Sequence, residues 1–212
     1  MENNKEGESM PITRVKEAIE AIKNGEMVIM MDDEDRENEG DLVYAATFSD
    51  PQKVNFLASE AKGLICVALE KEISQRLNLS PMVEKNSSQH ETAFTVSVDD
   101  INCTTGISAF ERDMTIKRLA DPLSRASDLV RPGHIFPLVA KEGGVLIRTG
   151  HTEGSVDLCK LAGISPVAVI CEIMNSDGTM ARKDDLIDFA KKYNLKIIYI
   201  SDLVEYRLRF EH

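Results

Sequence analysis

Positive charge is scarce in this 212-residue chain, which carries 25 Lys and Arg side chains against 36 Asp and Glu, for a net charge of −11. An acidic surface repels nucleic acid and anionic lipid, so neither is an expected partner. Any phosphate that the protein binds must therefore be held by a few local donors. Long apolar runs are missing too, and none approaches the roughly 20 residues that cross a bilayer, so no membrane partner is expected.

Cysteine is also sparse, with four residues, and tryptophan is missing altogether. The cysteines show neither C-x-x-C pairing nor a zinc-ligand spacing, so we expect buried, reduced thiols rather than disulfides or a zinc site. The polar, acidic start lacks the basic and apolar regions of a signal peptide. It predicts a flexible N-terminus over residues 1–10 and a cytoplasmic location.

The chain shows no internal repeat and no low-complexity linker, so a single domain over residues 1–212 is expected. Predicted helices alternate with short apolar strands, but some neighbours are spaced like hairpins. This pattern favours an α/β fold of the α+β type, in which helices cover a mixed twisted β-sheet in three layers. Strands are predicted at residues 26–31, 42–46, 64–69, 92–98, 145–148, 166–174 and 196–200, and helices at 13–24, from 51, at 155–162, 183–193 and 202–209.

An acidic stretch, DDEDRENEGD at residues 32–41, directly follows a predicted buried strand. Its charges repel one another unless a cation relieves them, although a solvated loop is the alternative. An EF-hand fails, because counting from Asp33 puts Asn38 at the sixth position and Tyr44 at the twelfth. A site for Mg²⁺ or Mn²⁺ remains open.

Three other segments carry polar groups in restricted settings. His134 lies between Pro132-Gly133 and Pro137, which suits a positioned acid–base group, although a structural histidine is the alternative. Residues 148–155, with an arginine, threonines and a predicted helix start, suit a phosphate cradle. Glu172 lies within an apolar strand, where a charge must be either functional or paired in a structural salt bridge.

Six blocks, in order, resemble the 3,4-dihydroxy-2-butanone 4-phosphate synthase family. They are DDEDRENEGD (32–41), TAFTVSVD (92–99), CTTGIS (103–108), PGHIFPL (132–138), RTGHTE (148–153) and CEIM (171–174). The resemblance covers residues 12–206 and implies a fold like that of this family and of threonylcarbamoyl-adenylate synthase.

The resemblance implies a lyase of riboflavin biosynthesis that converts ribulose 5-phosphate to 3,4-dihydroxy-2-butanone 4-phosphate and formate. It also implies a homodimer that needs Mg²⁺ and no organic cofactor. Because imidazole suits softer ions than Mg²⁺, Mn²⁺ is expected to substitute. The metal ligands implied are Glu37 and His151, and the catalytic residues are His134 and Glu172. The substrate-binding residues implied are Arg36, Glu37, Asp41, Cys66, Thr105, Arg148, Thr149, Gly150, His151, Thr152 and Glu172.

Two rival functions remain open at this point. One is a metal-dependent phosphatase or aldolase acting on another sugar phosphate, which would release no formate. The other is nucleotide or RNA binding, suggested by the related synthase fold, although the net charge argues against RNA. Many members of the family carry a GTP cyclohydrolase-type domain after this region, and the sequence leaves open whether one follows here.

Overall fold

The structure is a computed structural model that describes residues 9–211. Its helices are α1 (Met10–Lys23), α2 (Pro51–Phe56), α3 (Lys71–Arg76), α4 (Ala109–Ala120), α5 (His151–Leu161), α6 (Lys183–Tyr193) and α7 (Ile200–Phe210). Its strands are β1 (Val28–Met31), β2 (Gly40–Ala45), β3 (Cys66–Leu69), β4 (Val98–Asp100), β5 (Leu129–Val139), β6 (Val167–Glu172) and β7 (Lys196–Tyr199). The flexible N-terminus predicted for residues 1–10 falls mainly on residues 1–8, which lie outside the described residues.

All seven strands join one sheet in the order β4-β5-β3-β6-β2-β1-β7. The pairs β1–β7 and β3–β5 are parallel, and the other neighbouring pairs are antiparallel. The predicted mixed sheet is therefore confirmed. Short hairpin connections and longer helical crossovers coexist in this chain, which is why both kinds of pairing occur in one sheet.

Helices cover both faces of the sheet, so the predicted three layers are confirmed. One face packs with α2, α4 and α6, and the other with α1, α5 and α7. The interior strands β1 and β2 are buried along their whole length. Because both faces are covered, these strands are rich in consecutive apolar residues rather than alternating with polar ones. Of the helices in the described range, none has the length and apolarity to cross a membrane.

Two predicted strands are wrong. Residues 92–97 form only isolated bridges, at Phe94 and Thr95, and the strand in this region, β4, begins at Val98. The predicted strand at residues 145–148 starts within a turn of 3₁₀ helix, Gly144–Leu146. That segment turns because Gly143 and Gly144 adopt left-handed backbone conformations, with φ of 89° and 62°.

The sequence reading also missed β5 and α4. Prolines are disfavoured within sheets, yet Pro137 of β5 takes part in the strand, where it pairs with Val67 of β3. Pro132 is tolerated because residues 131–134 lack partners on β4, whose register jumps from Ile135 to Val130. The first turn of α4 is well defined, since the Ser108 hydroxyl accepts a hydrogen bond from the Glu111 amide at 3.1 Å.

Candidate active site

A cleft of about 190 Å³ lies where the N-terminus of α5 meets the sheet. Among the sequence-predicted residues, eight line this cleft: Arg36, Glu37, Asp41, Cys66, Arg148, His151, Thr152 and Glu172. The sequence reading assigned no role to five others that line it: Glu39, Thr92, Phe94, Leu138 and Ile170. Segments more than a hundred residues apart in the chain therefore form one polar site.

Strand register explains why the two carboxylates on the sheet are neighbours. Asp41 of β2 pairs directly with Glu172 of β6, and Cys66 of β3 pairs with Ile170 two residues earlier on β6. Because side chains alternate along a strand, these groups share the face covered by α5. Two like charges therefore adjoin at the floor of the cleft.

The acidic stretch forms an ordered connection between β1 and β2 rather than a solvated loop. Asp32 Oδ2 accepts hydrogen bonds from Arg36 Nη1 at 2.8 Å and from the Glu37 amide at 3.0 Å. Its Oδ1 accepts one from the Glu39 amide at 2.9 Å. The same Arg36 Nη1 lies 2.8 Å from Glu37 Oε2. The buried Asp32 therefore organises the loop, and Arg36 compensates its charge.

A second arginine, the residue before α6, also holds this loop. Arg182 Nη1 donates hydrogen bonds to the Glu37 carbonyl at 2.9 Å and to the Asn38 carbonyl. Asn38 has a φ of 54°, in the left-handed region that asparagine tolerates better than most residues. The turn at Asn38 and the clamp by Arg182 together fix the backbone that carries Glu37.

His151, the first residue of α5, lies between the two predicted carboxylates. Its Nδ1 is 3.4 Å from Glu37 Oε2, and its Nε2 is 3.8 Å from Asp41 Oδ1. Both His151 Nε2 and Asp41 Oδ1 are buried and find no hydrogen-bond partner among residues 9–211. Buried polar atoms are normally paired, so these two atoms mark a place for a ligand.

The environment shifts the pKa of each of these groups. Burial raises the pKa of Asp41 to about 7 against the opposing attraction of His151, and the Glu172 and Glu37 charges raise it further. Burial alone would lower the pKa of His151, but the Asp41, Glu37 and Asp32 carboxylates raise it to about 9. The hydrogen bond with His151, together with Arg36, lowers the pKa of Glu37 to about 2.

A divalent cation fits this set of donors. One ligand atom each from Asp32, Glu37 and His151 lies within 4.8 Å of the others. The Asp32 oxygens already accept hydrogen bonds from the loop. Glu37 and His151 therefore have more lone pairs available to bind a cation. A dense carboxylate set with one imidazole suits Mg²⁺ or Mn²⁺ and offers no thiolate to a softer metal.

Arg148 is held at the other side of the cleft by four hydrogen bonds. Its Nε and Nη2 donate to the His90 carbonyl at 3.2 and 3.0 Å, and Nη2 also donates to Thr92 Oγ1 at 3.1 Å. Its Nη1 donates to Glu153 Oε2 at 2.5 Å. Glu153 is 1% exposed, and its other oxygen accepts from the Lys141 amide at 2.9 Å. The pair gives the cleft a preorganised cationic group.

Gly150 and Thr149 lie beside the Arg148–Glu153 pair, but neither lines the cleft formed by residues 9–211. Gly150 caps α5, and a Cβ added to it would lie 2.2 Å from Arg148 Nη1, so glycine is required by the close approach. Thr149 is exposed. Of the segment predicted as a phosphate cradle, Arg148, His151 and Thr152 line the cleft.

Glu172 is held by backbone rather than by a salt bridge. Its Oε2 accepts a hydrogen bond from the Leu64 amide at 2.8 Å, and it forms no ion pair with another residue in 9–211. A Cβ on Gly63 would lie 2.6 Å from the same oxygen. The turn before β3 therefore needs glycine at position 63 to bring the Leu64 amide to this carboxylate, a requirement that the sequence reading missed.

His134 and Thr105 do not line the cleft of the described chain. His134 shares a face of β5 with the cleft residue Leu138 but lies four residues away, about 13 Å along a strand. Its Nδ1 is 2.8 Å from Asp99 Oδ2. Thr105 lies in the loop that covers this pair. The motif TAFTVSVD contains Asp99, but nothing in the sequence shows that its carboxylate meets the imidazole.

The fold and the site define a three-layer α/β protein with an acidic cleft suited to a divalent cation and an anionic ligand. Comparison with known proteins identifies the family. The profile described as 3,4-dihydroxy-2-butanone 4-phosphate synthase matches residues 16–206. The chain belongs to this family.

The relatives agree in sequence and in structure. A 3,4-dihydroxy-2-butanone 4-phosphate synthase from Wolinella succinogenes is 71% identical over 202 residues, covering 95% of this chain and 58% of the relative. A Bacillus mycoides riboflavin biosynthesis protein RibBA is 54% identical over 198 residues, covering 93% of this chain and 50% of the relative. The chain thus spans about half to three fifths of these relatives.

Solved structures show the same fold. A crystal structure of 3,4-dihydroxy-2-butanone 4-phosphate synthase in complex with two magnesium ions is 41% identical, with a TM-score of 0.89. That match covers 93% of this chain and 97% of the other. RibBX, a two-domain synthase from A. baumannii, is 50% identical with a TM-score of 0.91, covering 94% of this chain and 59% of that protein.

Proposed function

We propose that the chain converts ribulose 5-phosphate to 3,4-dihydroxy-2-butanone 4-phosphate and formate in riboflavin biosynthesis, with a divalent cation and no organic cofactor. The observation that carries this proposal is the pair of unpartnered buried atoms, Asp41 Oδ1 and His151 Nε2, in a cleft formed by the predicted residues. The name of the family supplies the reaction, and the solved relative in complex with two magnesium ions supports the choice of cation.

The substrate phosphate is assigned to the cationic side of the cleft. Arg148 offers a fixed guanidinium, and the first amides of α5 point toward the same region, as anion sites at helix N-termini do. The Thr152 hydroxyl adds a donor beside them. This arrangement leaves the carbonyl end of a five-carbon sugar near Glu37 and His151.

The metal is assigned to Glu37 and His151, with Asp32 supporting the loop. When bound, a divalent cation supplies polarisation of a ketose carbonyl, which makes loss of the neighbouring proton easier. Enolisation, rearrangement of the carbon skeleton and loss of C4 as formate then require several proton transfers. Glu172, held by the Leu64 amide, and His134 are the groups that we assign to them.

A homodimer is part of the proposal. His134 lies beyond the cleft of its own chain, and the loop and helix beside it expose large apolar side chains: Ile101 (55% exposed), Ile107 (53%) and Phe110 (70%). Exposed apolar surface of this kind is typical of an interface. In a dimer formed through this apolar surface, the exposed His134 of each chain contacts the partner chain. This contact would allow His134 to take part in an active site shared by the two chains.

The test is direct. The purified chain is incubated with ribulose 5-phosphate and Mg²⁺, and formate is measured with formate dehydrogenase. We expect formate from the wild type and essentially none from Glu37→Gln, whereas Glu34→Gln, three residues away in the same loop, should keep most of the activity. Release of inorganic phosphate without formate would favour a phosphatase and overturn the proposal.

A further inference from the structure

An irregular stretch in the β4–β5 pair creates a pocket for one carboxylate beside His134. Val98 pairs with Ile135, but the next residue, Asp99, pairs with Val130, so residues 131–134 bulge out of register. A Cβ on Gly133 would lie 2.0 Å from the Val98 carbonyl carbon. Glycine therefore lets the bulge press against β4, and this contact places the backbone of His134 beside the Asp99 side chain.

Asp99 binds His134 at two points. Its Oδ1 accepts a hydrogen bond from the His134 backbone amide at 2.8 Å, and its Oδ2 lies 2.8 Å from His134 Nδ1. Because a carboxylate only accepts hydrogen bonds, this geometry requires a proton on Nδ1. A neutral imidazole then has Nε2 unprotonated, and that atom is free to take up a proton.

The pair is covered from the α4 side. A Cβ on Gly106 would lie 2.0 Å from Asp99 Oδ2 and 2.7 Å from His134 Nδ1, so the loop before α4 closes over the carboxylate. Glu111 holds this loop, accepting hydrogen bonds from the Gly106 amide at 2.8 Å and from the Thr104 hydroxyl at 2.8 Å. The result is a buried Asp99 next to a His134 side chain that is 44% exposed.

We propose that Asp99 is a positioning residue that fixes the Nδ1–H tautomer of His134 and directs Nε2 toward the substrate. The proposal rests on the function assigned to His134 above. An aspartate that only supported the bulge would need only the hydrogen bond to the His134 backbone amide. The second hydrogen bond, to the imidazole ring, selects a tautomer. That second contact distinguishes a positioning role from a structural one.

The variant Asp99→Asn tests this positioning role. The asparagine carbonyl oxygen must face the His134 backbone amide, because that amide can only donate. The side-chain NH₂ group then faces Nδ1, which becomes an acceptor, so the proton moves to Nε2. The shape of the pocket is kept while the tautomer reverses, so the same Nε2 faces the substrate but already carries a proton and cannot accept another.

The tautomer can be measured without substrate. Long-range ¹H–¹⁵N spectra of the neutral imidazole distinguish the two protonated nitrogens, and His134→Gln identifies the signal. We expect Nδ1–H in the wild type and Nε2–H in Asp99→Asn. The matched control is Asp100→Asn, next along β4, whose buried carboxylate instead binds Arg118 Nε at 2.6 Å; it should leave the His134 signal unchanged. A wild-type ring protonated on Nε2 would overturn the proposal.

Kinetics provide the second measurement. Asp99→Asn should lower kcat for formate release by about 10²–10⁴-fold, the range typical of a proton-transfer group, while KM changes by less than about threefold. Asp100→Asn should lower stability but keep kcat close to the wild-type value. A reversed tautomer with unchanged kcat would refute the positioning role. If the wild type released no formate, the proposed function would fail, and the spectra would still decide whether Asp99 orients the ring.

Discussion

We expect the cleft to depend most strongly on the ion pair between Arg148 and Glu153. Of the four hydrogen bonds that Arg148 donates within residues 9–211, only the one to Glu153 has a charged acceptor. The Arg148 side chain is 13% exposed and that of Glu153 is 1% exposed, so solvent compensates little when the pair is broken. Removing one partner of a buried pair costs about 3–5 kcal/mol.

Glu153→Gln tests this pair while keeping the side-chain shape. The glutamine oxygen can accept from either the Lys141 amide or Arg148, and its NH₂ group must then face the other donor. We expect the free energy of unfolding to fall by about 3 kcal/mol, since a charge-assisted bond is lost and a donor–donor contact is gained. KM should rise about tenfold or more, because one displaced charge-assisted contact to phosphate is worth about 1.5–3 kcal/mol.

Urea denaturation measures the stability change, and formate release measures KM. Glu142→Gln, on an exposed neighbouring position, is the matched control and should change neither quantity. Gly150→Ala disturbs the same pair from the backbone, since its φ of −106° accepts alanine and the new Cβ would lie 2.2 Å from Arg148 Nη1 and 2.9 Å from Glu153 Oε2. A Glu153→Gln protein within about 1 kcal/mol of wild type, with unchanged KM, would show that Arg148 needs no charged partner.

Three further predictions concern the metal, the dimer and pH. EDTA should abolish formate release and Mg²⁺ or Mn²⁺ should restore it, and full turnover in the chelator would remove the cation from the mechanism. Mixing inactive Glu37→Gln with inactive His134→Ala should regain activity if a site uses both chains, whereas no recovery after verified subunit exchange would place both residues in one chain. The third follows from the pKa of His151, which is raised from 6.5 to about 9, so the folded chain keeps a proton that the unfolded chain releases. Its stabilisation is therefore complete below about pH 6.5 and is lost as pH rises through about 9, and in EDTA it should decrease by about 3 kcal/mol over that range, measured by urea denaturation. The same decrease in His151→Gln would refute this assignment.

Local patterns in the sequence were enough for several elements and for the type of site. Helix α6 begins and ends at the predicted residues, Lys183–Tyr193, because its apolar spacing and its stop at Asn194, with a φ of 53°, are local features. The acidic stretch at residues 32–41 left a cation site open as a hypothesis, because dense like charges after a buried strand need compensation wherever the chain folds.

The tertiary structure decided how the site is supported. Leu64 and Glu172 are separated by 108 positions, and His134 and Asp99 by 35, yet each pair forms a hydrogen bond of 2.8 Å. Periodicity and propensity act over a few residues, so they cannot show that a strand bulge brings Asp99 to an imidazole or that Glu153 holds Arg148. They also misassigned residues 145–148, because a turn fixed by two left-handed glycines overrides an apolar run. The residue types that carry the chemistry were therefore readable from the sequence, whereas the partner of each depends on contacts that exist only once the sheet has formed.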